Sequence, residues 1–200
     1  MRALGKAVLC WWIGLSCALA GTQPSALHGG ESRVGFQLRL WWFGQVSGSF
    51  HDLRGALRRQ QGKLRICAWV PVDSARMASA AHRRELLGPD FFAAATHPQI
   101  RFVSAPLAPA LLASGGALSG RLTLRGQTRE VRFQLAPMHC SAADPADCRV
   151  RLQGQVQRSD FGMRAKPGVL GDTVRLQLDL RTCASGRAGC EAAPACFGPD

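Results

Sequence analysis

The sequence predicts an all-β fold, an antiparallel eight-stranded β-barrel with a short helical insert between strands. Apolar and polar residues alternate along eight separate segments, which is the pattern of strands with one buried face. Turn-forming residues such as Gly126-Gln127-Thr128 and Pro167-Gly168 separate the segments. A closed barrel removes exposed sheet edges, which favours it over the two-sheet sandwich that the same pattern allows.

The first segment, residues 33–42, shows the alternation most clearly, because its polar residues all fall on one face. The apolar residues of its other face are Val34, Phe36, Leu38, Leu40 and Trp42. A second segment covers residues 46–50, and Ile100 and Phe102 mark a shorter strand. The apolar faces of the other five are Leu64, Ile66, Ala68 and Val70; Leu118, Leu122 and Leu124; Val131, Phe133 and Leu135; Val150, Leu152 and Val156; and Val174, Leu176, Leu178 and Leu180.

Residues 74–95 break the two-residue period and are rich in Ala, Leu and Arg, which favours a helix. Ser74 is expected to cap this helix and Gly88 to end it. Pro89 can then start a short second turn. Such an insert would cover one end of the barrel.

Residues 1–20 are expected to be a secretory signal peptide. Arg2 and Lys6 flank the start of an apolar run, and Ala18-Leu19-Ala20 forms a cleavage site before Gly21. The run is shorter than the roughly 20 residues of a membrane-spanning helix. Acylation of Cys17, as in a lipoprotein, is the alternative. The barrel domain is then assigned to residues 21–183 and a cysteine-containing tail to residues 184–200, and the protein is expected in the periplasm.

The cysteine content agrees with export to an oxidising compartment. Six cysteines follow residue 20, an even number that suggests disulfides: Cys67, Cys140, Cys148, Cys183, Cys190 and Cys196. Cys140 and Cys148 bracket the turn-rich segment SAADPAD and are expected to pair. His139 raises the alternative of a metal site, but the Cys-x2-Cys spacing of zinc sites is absent.

The chain is strongly basic, with a formal net charge of +12. Loss of Arg2 and Lys6 with the signal peptide would leave +10, since 12 minus 2 is 10. Such a charge suggests an anionic partner, for example an anionic membrane surface or pyrophosphate. The arginines are scattered singly along the strands, so ordinary solvated faces explain them as well, and no nucleic acid partner is expected.

No enzyme motif accounts for the sequence, and neither catalytic residues nor a cofactor is expected. Asp160-Phe161-Gly162 spells the tripeptide with which protein kinases hold magnesium, but the Gly-rich loop, strand lysine and catalytic Asp of a kinase are missing. The G-x-S-x-G and H-E-x-x-H motifs are also absent. An enzyme acting on a lipid would need a polar cluster inside the barrel, which the apolar inward positions do not supply.

Four segments, in order, resemble the YceI-like polyisoprenoid-binding family of exported, lipocalin-like barrels. They are SRVGFQLRLWWFGQVSGSFHDLRGAL, ELLGPDFFAAATHPQIRFVS, GRLTLRGQTREV, and RSDFGM followed by GDTVRL, and together they span about Ser32 to Thr182. The resemblance gives Asp160-Phe161-Gly162 a structural role. Ser159 and Asp160 would bond local backbone, Gly162 would take a positive φ, and Phe161 would plug the barrel.

The resemblance implies a non-enzymatic binding protein with a hydrophobic pocket for an isoprenoid lipid or a quinone tail. Pattern alone slightly favours a filled core, because an eight-stranded barrel can be filled by its own side chains or hold one small ligand. Arg39, Arg101 and Arg158 are candidates for binding a pyrophosphate head. The sequence departs from the family at Trp41-Trp42-Phe43, where a His-Leu-Gly-like step is usual, and bulky aromatics there would shorten or block the pocket. The candidate ligand-binding residues are Val34, Phe36, Leu38, Leu40, Trp42, Phe102, Leu122, Leu124, Val131, Phe133, Leu152, Val156, Leu176 and Leu178.

Overall fold

The computed structural model describes residues 25–42, 44–184 and 186–190. The predicted signal peptide, Phe43 and most of the predicted tail lie outside this part of the chain. The described strands are β1 (Ser25–Leu27), β2 (Arg33–Leu40), β3 (Gln45–Phe50), β4 (Arg54–Gln60), β5 (Lys63–Pro71), β6 (Ala75–Met77), β7 (Gln99–Ser104), β8 (Gly116–Leu124), β9 (Gln127–Leu135), β10 (His139–Cys140), β11 (Cys148–Gln157) and β12 (Leu170–Ala184). The described α-helices are α1 (Ala80–Leu87) and α2 (Ala110–Ser114), and short 3-10 helices cover Gly29–Glu31, Val72–Ser74 and Arg158–Phe161.

The predicted antiparallel eight-stranded barrel is confirmed. Three bent pairs, β1 with β2, β3 with β4 and β5 with β6, each act as one long strand, because their members pair side by side with the same neighbours. Strands β5, β7, β8, β9, β11 and β12 then follow in antiparallel order. Strand β12 pairs with β11 on one side and with β1 and β2 on the other, which closes the sheet.

The bends explain why the period-two pattern missed β1 and β6, whereas β4 was missed because Gly55, Ala56 and Leu57 follow one another without alternating. The 3-10 helix Gly29–Glu31 interrupts the first long strand, and Val72–Ser74 interrupts the third. Ser74 donates its hydroxyl hydrogen bond to the Pro71 carbonyl at 2.7 Å, which holds the bend. A bend shifts the alternation along the chain, and the three residues of β1 and of β6 are too few to show a period by themselves.

The helical insert is present but begins later than predicted. Ser74 does not cap it; the cap is Ser79, whose hydroxyl accepts from the His82 backbone N–H at 3.3 Å. Arg83 of the helix donates to the Ala75 carbonyl at 2.7 Å and to the Asp73 carbonyl at 2.6 Å. These hydrogen bonds hold residues 73–75 against the helix as part of the bent strand and not as its first turn. The predicted end at Gly88 is confirmed.

Inward residues of the strands form one large core cluster, as the alternation predicts. Cys67 departs from it: it lies on the outer face of β5 and yet has no exposed surface. It is disulfide-bonded and packs with Trp69 and Val103 in a small cluster outside the barrel wall.

Two disulfides join described cysteines. The predicted Cys140–Cys148 disulfide is confirmed and links β10 to the start of β11. A second disulfide joins Cys183, near the end of β12, to Cys190. No helix in the described ranges has the length and apolar character needed to cross a membrane.

Arg181 on β12 ties the end of the barrel together through two carboxylates. Its guanidinium donates to both oxygens of Asp147, at 2.6 and 2.7 Å, and also pairs with Glu31. The hydrogen bonds from Arg181 hold the pKa of Asp147 below its ordinary value of 3.8.

Asp147→Asn is expected to reduce the loss of stability in acid. A carboxyl whose pKa is lower in the folded state contributes stability above its unfolded pKa, and this contribution disappears as pH falls through the folded pKa. The wild type should therefore lose melting temperature more steeply than the variant below about pH 4. Thermal unfolding across this range checks it, with Asp160→Asn, which removes an exposed carboxylate, as the control; parallel curves for wild type and Asp147→Asn would contradict the assignment.

Candidate ligand-binding cavity

The barrel encloses a cavity of about 400 Å³. This volume lies within the roughly 300–1,000 Å³ of ordinary small-molecule pockets. Its lining is apolar except for His82, Glu85, Arg158, Lys166 and Thr182. This barrel therefore has a hollow interior, and the alternative of a filled core, which the sequence left open, is wrong.

Partial exposure of inward-facing side chains shows the same hollow interior. On β12, Val174, Leu176 and Leu178 all line the cavity, and each keeps some accessible surface although it points into the barrel. The wall opposite them includes Phe102 and Ile66, which are also only partly buried. In a filled core these positions would be buried by their neighbours.

Three glycines keep the interior open by letting aromatic rings lie against the sheet. Gly48 faces Phe36 directly across β2 and β3, and Gly154 faces Phe133 across β9 and β11. A Cβ added at Gly154 would lie 2.5 Å from the Phe133 ring. The ring thus occupies the space over the glycine instead of the middle of the barrel, and the same relation joins Gly120 to Phe102, where an added Cβ would lie 2.6 Å from the ring.

Gly154→Ala is expected to shrink the cavity. At this glycine the close contacts are with the Phe133 ring, so the ring must turn inward, at an overpacking cost of about 1–3 kcal/mol. Affinity for a bound lipid should fall about tenfold. Ligand titration of the variant checks this, with Gly154→Ala/Phe133→Leu as the rescue; a double variant that binds no better than the single one would contradict the mechanism.

One end of the cavity carries most of its polar lining. We call this end the mouth, and it is formed by Leu40 and Val46 of the β2–β3 hairpin, helix α1, and residues 163–170. His82 and Glu85 of α1 and Lys166 of the 163–170 segment line it. Lys166 pairs with Glu85, and this half-exposed ion pair links the helix to the segment across the opening. The opposite end is lined by Leu27, Leu112 and Met138, with Thr182 beside them.

Arg158 holds the 163–170 segment in place from beneath. Its side chain is 5% exposed and lines the cavity. Four of its five N–H groups donate to backbone carbonyls, those of Met163, Ala165, Leu170 and Gly171, at 2.7–3.2 Å. Four of its donors are therefore bonded to the protein, which gives Arg158 a structural role and leaves one N–H for the head group considered from the sequence.

Twelve of the fourteen predicted ligand-binding residues line the cavity: Val34, Phe36, Leu38, Leu40, Phe102, Leu122, Leu124, Phe133, Leu152, Val156, Leu176 and Leu178. Val131 is buried in the surrounding core without lining the cavity. Trp42 was wrongly placed on the inward face: it is 79% exposed, because β2 ends at Leu40 and the chain turns before it. Trp41 is also exposed, so neither tryptophan blocks the pocket.

Sequence reasoning missed the polar residues of the mouth. Lys166 lies far from His82 and Glu85 in the sequence, and all three residues lie outside the alternating strands. Arg39 and Arg101, the other cations considered for a head group, are exposed and do not line the cavity. The distance between α1 and the 163–170 segment is set by the barrel, which no local pattern reports.

Two polar motifs lie away from the cavity lining. Ser49 and His51 share a hydrogen bond of 2.7 Å, but neither lines the cavity. Burial, with Arg76 and Arg33 nearby, lowers the pKa of His51. Around Asp160, Phe161 is buried in the barrel core and Gly162 has a φ of 76°, as expected, whereas Ser159 bonds the Asp172 carboxylate instead of local backbone.

The comparison with solved structures finds the same barrel in other bacterial proteins. The chain is similar to Burkholderia cenocepacia BcnA, with 21% identity over 78% of this chain and 98% of that one, and a TM-score of 0.65. It is similar to a polyisoprenoid binding domain from Saccharophagus degradans implicated in plant cell wall breakdown, with 16% identity over 80% and 98% of the two chains and a TM-score of 0.61. It is also similar to the Campylobacter jejuni YCEI protein, with 16% identity over 70% and 85% and a TM-score of 0.53. At these identities the likeness is one of fold.

A search of curated proteins gave no match. A family model does match: the YceI-like domain, over residues 26–182. The matched region begins in β1 and ends near the end of β12, so it covers the closed barrel described above. The chain therefore belongs to the YceI-like domain family.

Proposed function

We propose that this is an exported, non-enzymatic binding protein that holds an amphiphilic isoprenoid lipid, of the polyprenyl or quinone type, for carriage or storage. The observation that carries the proposal is the distribution of polarity in the cavity. The barrel interior is apolar apart from Arg158 and Thr182, and a cation, an acid and a histidine meet at its mouth. An amphiphile with a long apolar tail and a polar head matches that distribution.

The apolar interior suits the tail. Each isoprene unit transfers five carbons from water, a gross gain of about 4 kcal/mol at about 0.8 kcal/mol per carbon. Ordering a flexible tail takes back part of this gain. The Saccharophagus degradans structure with the same fold is described as a polyisoprenoid binding domain, which supports the choice of this lipid class.

The mouth suits a polar head. Lys166 and Glu85 form a half-exposed ion pair, and such pairs contribute only about 0–1 kcal/mol. An anionic head group can therefore replace Glu85 as the partner of the Lys166 ammonium with little loss of free energy. His82 on the same helix offers a further hydrogen-bonding group to a phosphate or a quinone oxygen.

Binding without catalysis fits the placement of the polar groups. Those of the mouth lie where a head group would sit, and Thr182 at the far end already bonds the Ala146 carbonyl and the Cys148 N–H. Among the described residues, the rest of the cavity lining is apolar apart from Arg158, most of whose donors are already bonded to backbone carbonyls. Export fits the two disulfides, which persist mainly in oxidising compartments.

Titration with a polyprenyl phosphate and with a quinone tests the proposal, read out by displacement of an apolar fluorescent probe from the barrel. We expect saturable displacement by both lipids that changes little with salt, and none by inorganic pyrophosphate, which lacks a tail. Displacement that pyrophosphate reproduces and that salt abolishes would place binding on the basic exterior and refute the cavity as the site.

A further inference from the structure

The exposed large hydrophobic residues of the described chain are gathered at one place. They are Trp41, Trp42 and Val169, which are 71%, 79% and 49% exposed. The Trp41 N–H donates to the Val169 carbonyl at 3.0 Å, and Leu40 pairs with Leu170, so the three residues lie on adjoining segments. We call these three residues the tryptophan patch.

The tryptophan patch is continuous with the cavity. Val169 is both half-exposed and part of the cavity lining, and Leu40, next to Trp41, lines the cavity as well. An apolar path thus leads from the outer surface over the lip of the mouth into the barrel. Scattered exposed hydrophobic residues need no explanation, but a group that adjoins an opening indicates an interaction surface.

The two segments that carry the tryptophan patch are basic. Residues 39–46 and 163–170, which carry it, contain Arg39, Arg164 and Lys166 and no acidic residue. All three cations are exposed. Lys166 is paired with Glu85 of α1, which leaves Arg39 and Arg164 as the cations that these two segments hold beside the patch.

Tryptophan next to arginine is the composition of a bilayer-facing surface. The indole ring is amphipathic and prefers the head-group region of a membrane. Arginine extends its charged end to anionic head groups while its stem lies on apolar surface. A protein partner with acidic residues would match the same cations. The continuity of the patch with the apolar cavity is what favours a bilayer.

We infer that the mouth of the barrel docks onto the surface of an anionic lipid bilayer through Trp41, Trp42 and Val169. Docking this way places the opening of the cavity against the lipids. Where the proposed isoprenoid cargo holds, the lipid can pass between bilayer and barrel without crossing water. The docking itself requires no cargo.

Sedimentation with vesicles tests the inference, using phosphatidylcholine vesicles with and without phosphatidylglycerol. Trp41→Ser/Trp42→Ser should lower partitioning to the anionic vesicles by about tenfold or more. Trp42→Ser alone should lower it by a smaller factor and serves if the double variant does not fold. Wild type and variants have the same residues before β1, so any vesicle binding by those residues is the same in each protein and does not change the ratio of their partition coefficients.

Two arginine variants distinguish docking through the mouth from a general electrostatic attraction between the basic protein and anionic vesicles. Arg39→Ser should weaken vesicle binding more than Arg132→Ser, which removes the same charge from the outer wall of β9. Equal binding by wild type and the tryptophan variants, or equal loss from both arginine variants, would overturn the inference. Probe displacement from the barrel should be unchanged in the tryptophan variants, so a failure of docking remains distinct from a failure of lipid binding in the cavity.

Discussion

Leu176→Arg is expected to abolish uptake of an isoprenoid lipid while the barrel remains folded. Leu176 lines the cavity, opposite Phe36 on β2 and Gly154 on β11, so its side chain lies midway along the path of a bound tail. An arginine guanidinium there would retain water molecules in the cavity, because removing its hydration costs several kcal/mol, and the apolar tail would then be excluded. Affinity should fall by about 100-fold or more, which corresponds to about 2.8 kcal/mol.

The neighbouring residue supplies a matched control. Gln177 lies on the outer face of the same strand and is exposed, so Gln177→Arg adds the same charge outside the barrel. Leu176→Trp blocks the cavity by volume without charge and keeps the test valid if the arginine variant unfolds. Uptake by a folded Leu176→Arg or Leu176→Trp protein equal to that of Gln177→Arg would mean that lipid does not bind inside.

Arg158→Met is expected to destabilise the protein by roughly 3 kcal/mol. The buried guanidinium donates to four backbone carbonyls of residues 163–171, and methionine removes these four hydrogen bonds. A buried polar group without a partner costs about 1–3 kcal/mol, and water that enters from the mouth relieves part of the sum. At this chain length such a loss lowers the melting temperature by about 10 °C.

Thermal or urea unfolding measures this effect. Arg164→Met is the control, since Arg164 belongs to the same segment but is exposed. Lipid binding by Arg158→Met should also weaken, because the segment that it loosens carries Lys166 and Val169 of the mouth. If the two arginine variants prove equally stable, Arg158 does not hold the segment.

The strands of the barrel were predictable because the alternation that marks them is local, while closure was inferred from the need to remove exposed sheet edges and from the family resemblance. A strand with one buried face alternates, and the faces of β2, β8, β9, β11 and β12 read correctly from the sequence. The bends were not predictable by the same means. They depend on contacts such as the Arg83 bonds to the Asp73 and Ala75 carbonyls, which join residues eight to ten positions apart.

The cavity was only half predictable. Alternation identifies which residues point inward, and twelve of the fourteen named residues do line the cavity. It cannot report whether their rings fill the middle, since that depends on the glycine across the sheet, as Gly154 lies across from Phe133. Trp42 failed for a related reason: the alternation continued in the sequence for two residues after β2 had ended at Leu40.

The mouth was not predictable at all from local pattern. The Lys166–Glu85 pair joins residues 81 positions apart, since 166 minus 85 is 81, and only the closed barrel brings them together. The tryptophan patch illustrates the same limit, because its residues come from the β2–β3 hairpin and the segment before β12. Their proximity follows from the pairing of Leu40 with Leu170.

Native mass spectrometry of the purified protein, with organic extraction of any copurifying molecule, shows whether the cavity holds an isoprenoid lipid. We expect a bound species of discrete mass that gives an isoprenoid fragmentation series, or such a complex after incubation with quinones and polyprenyl phosphates. A protein that shows only its own mass after those incubations would contradict the claim that the cavity holds an isoprenoid lipid.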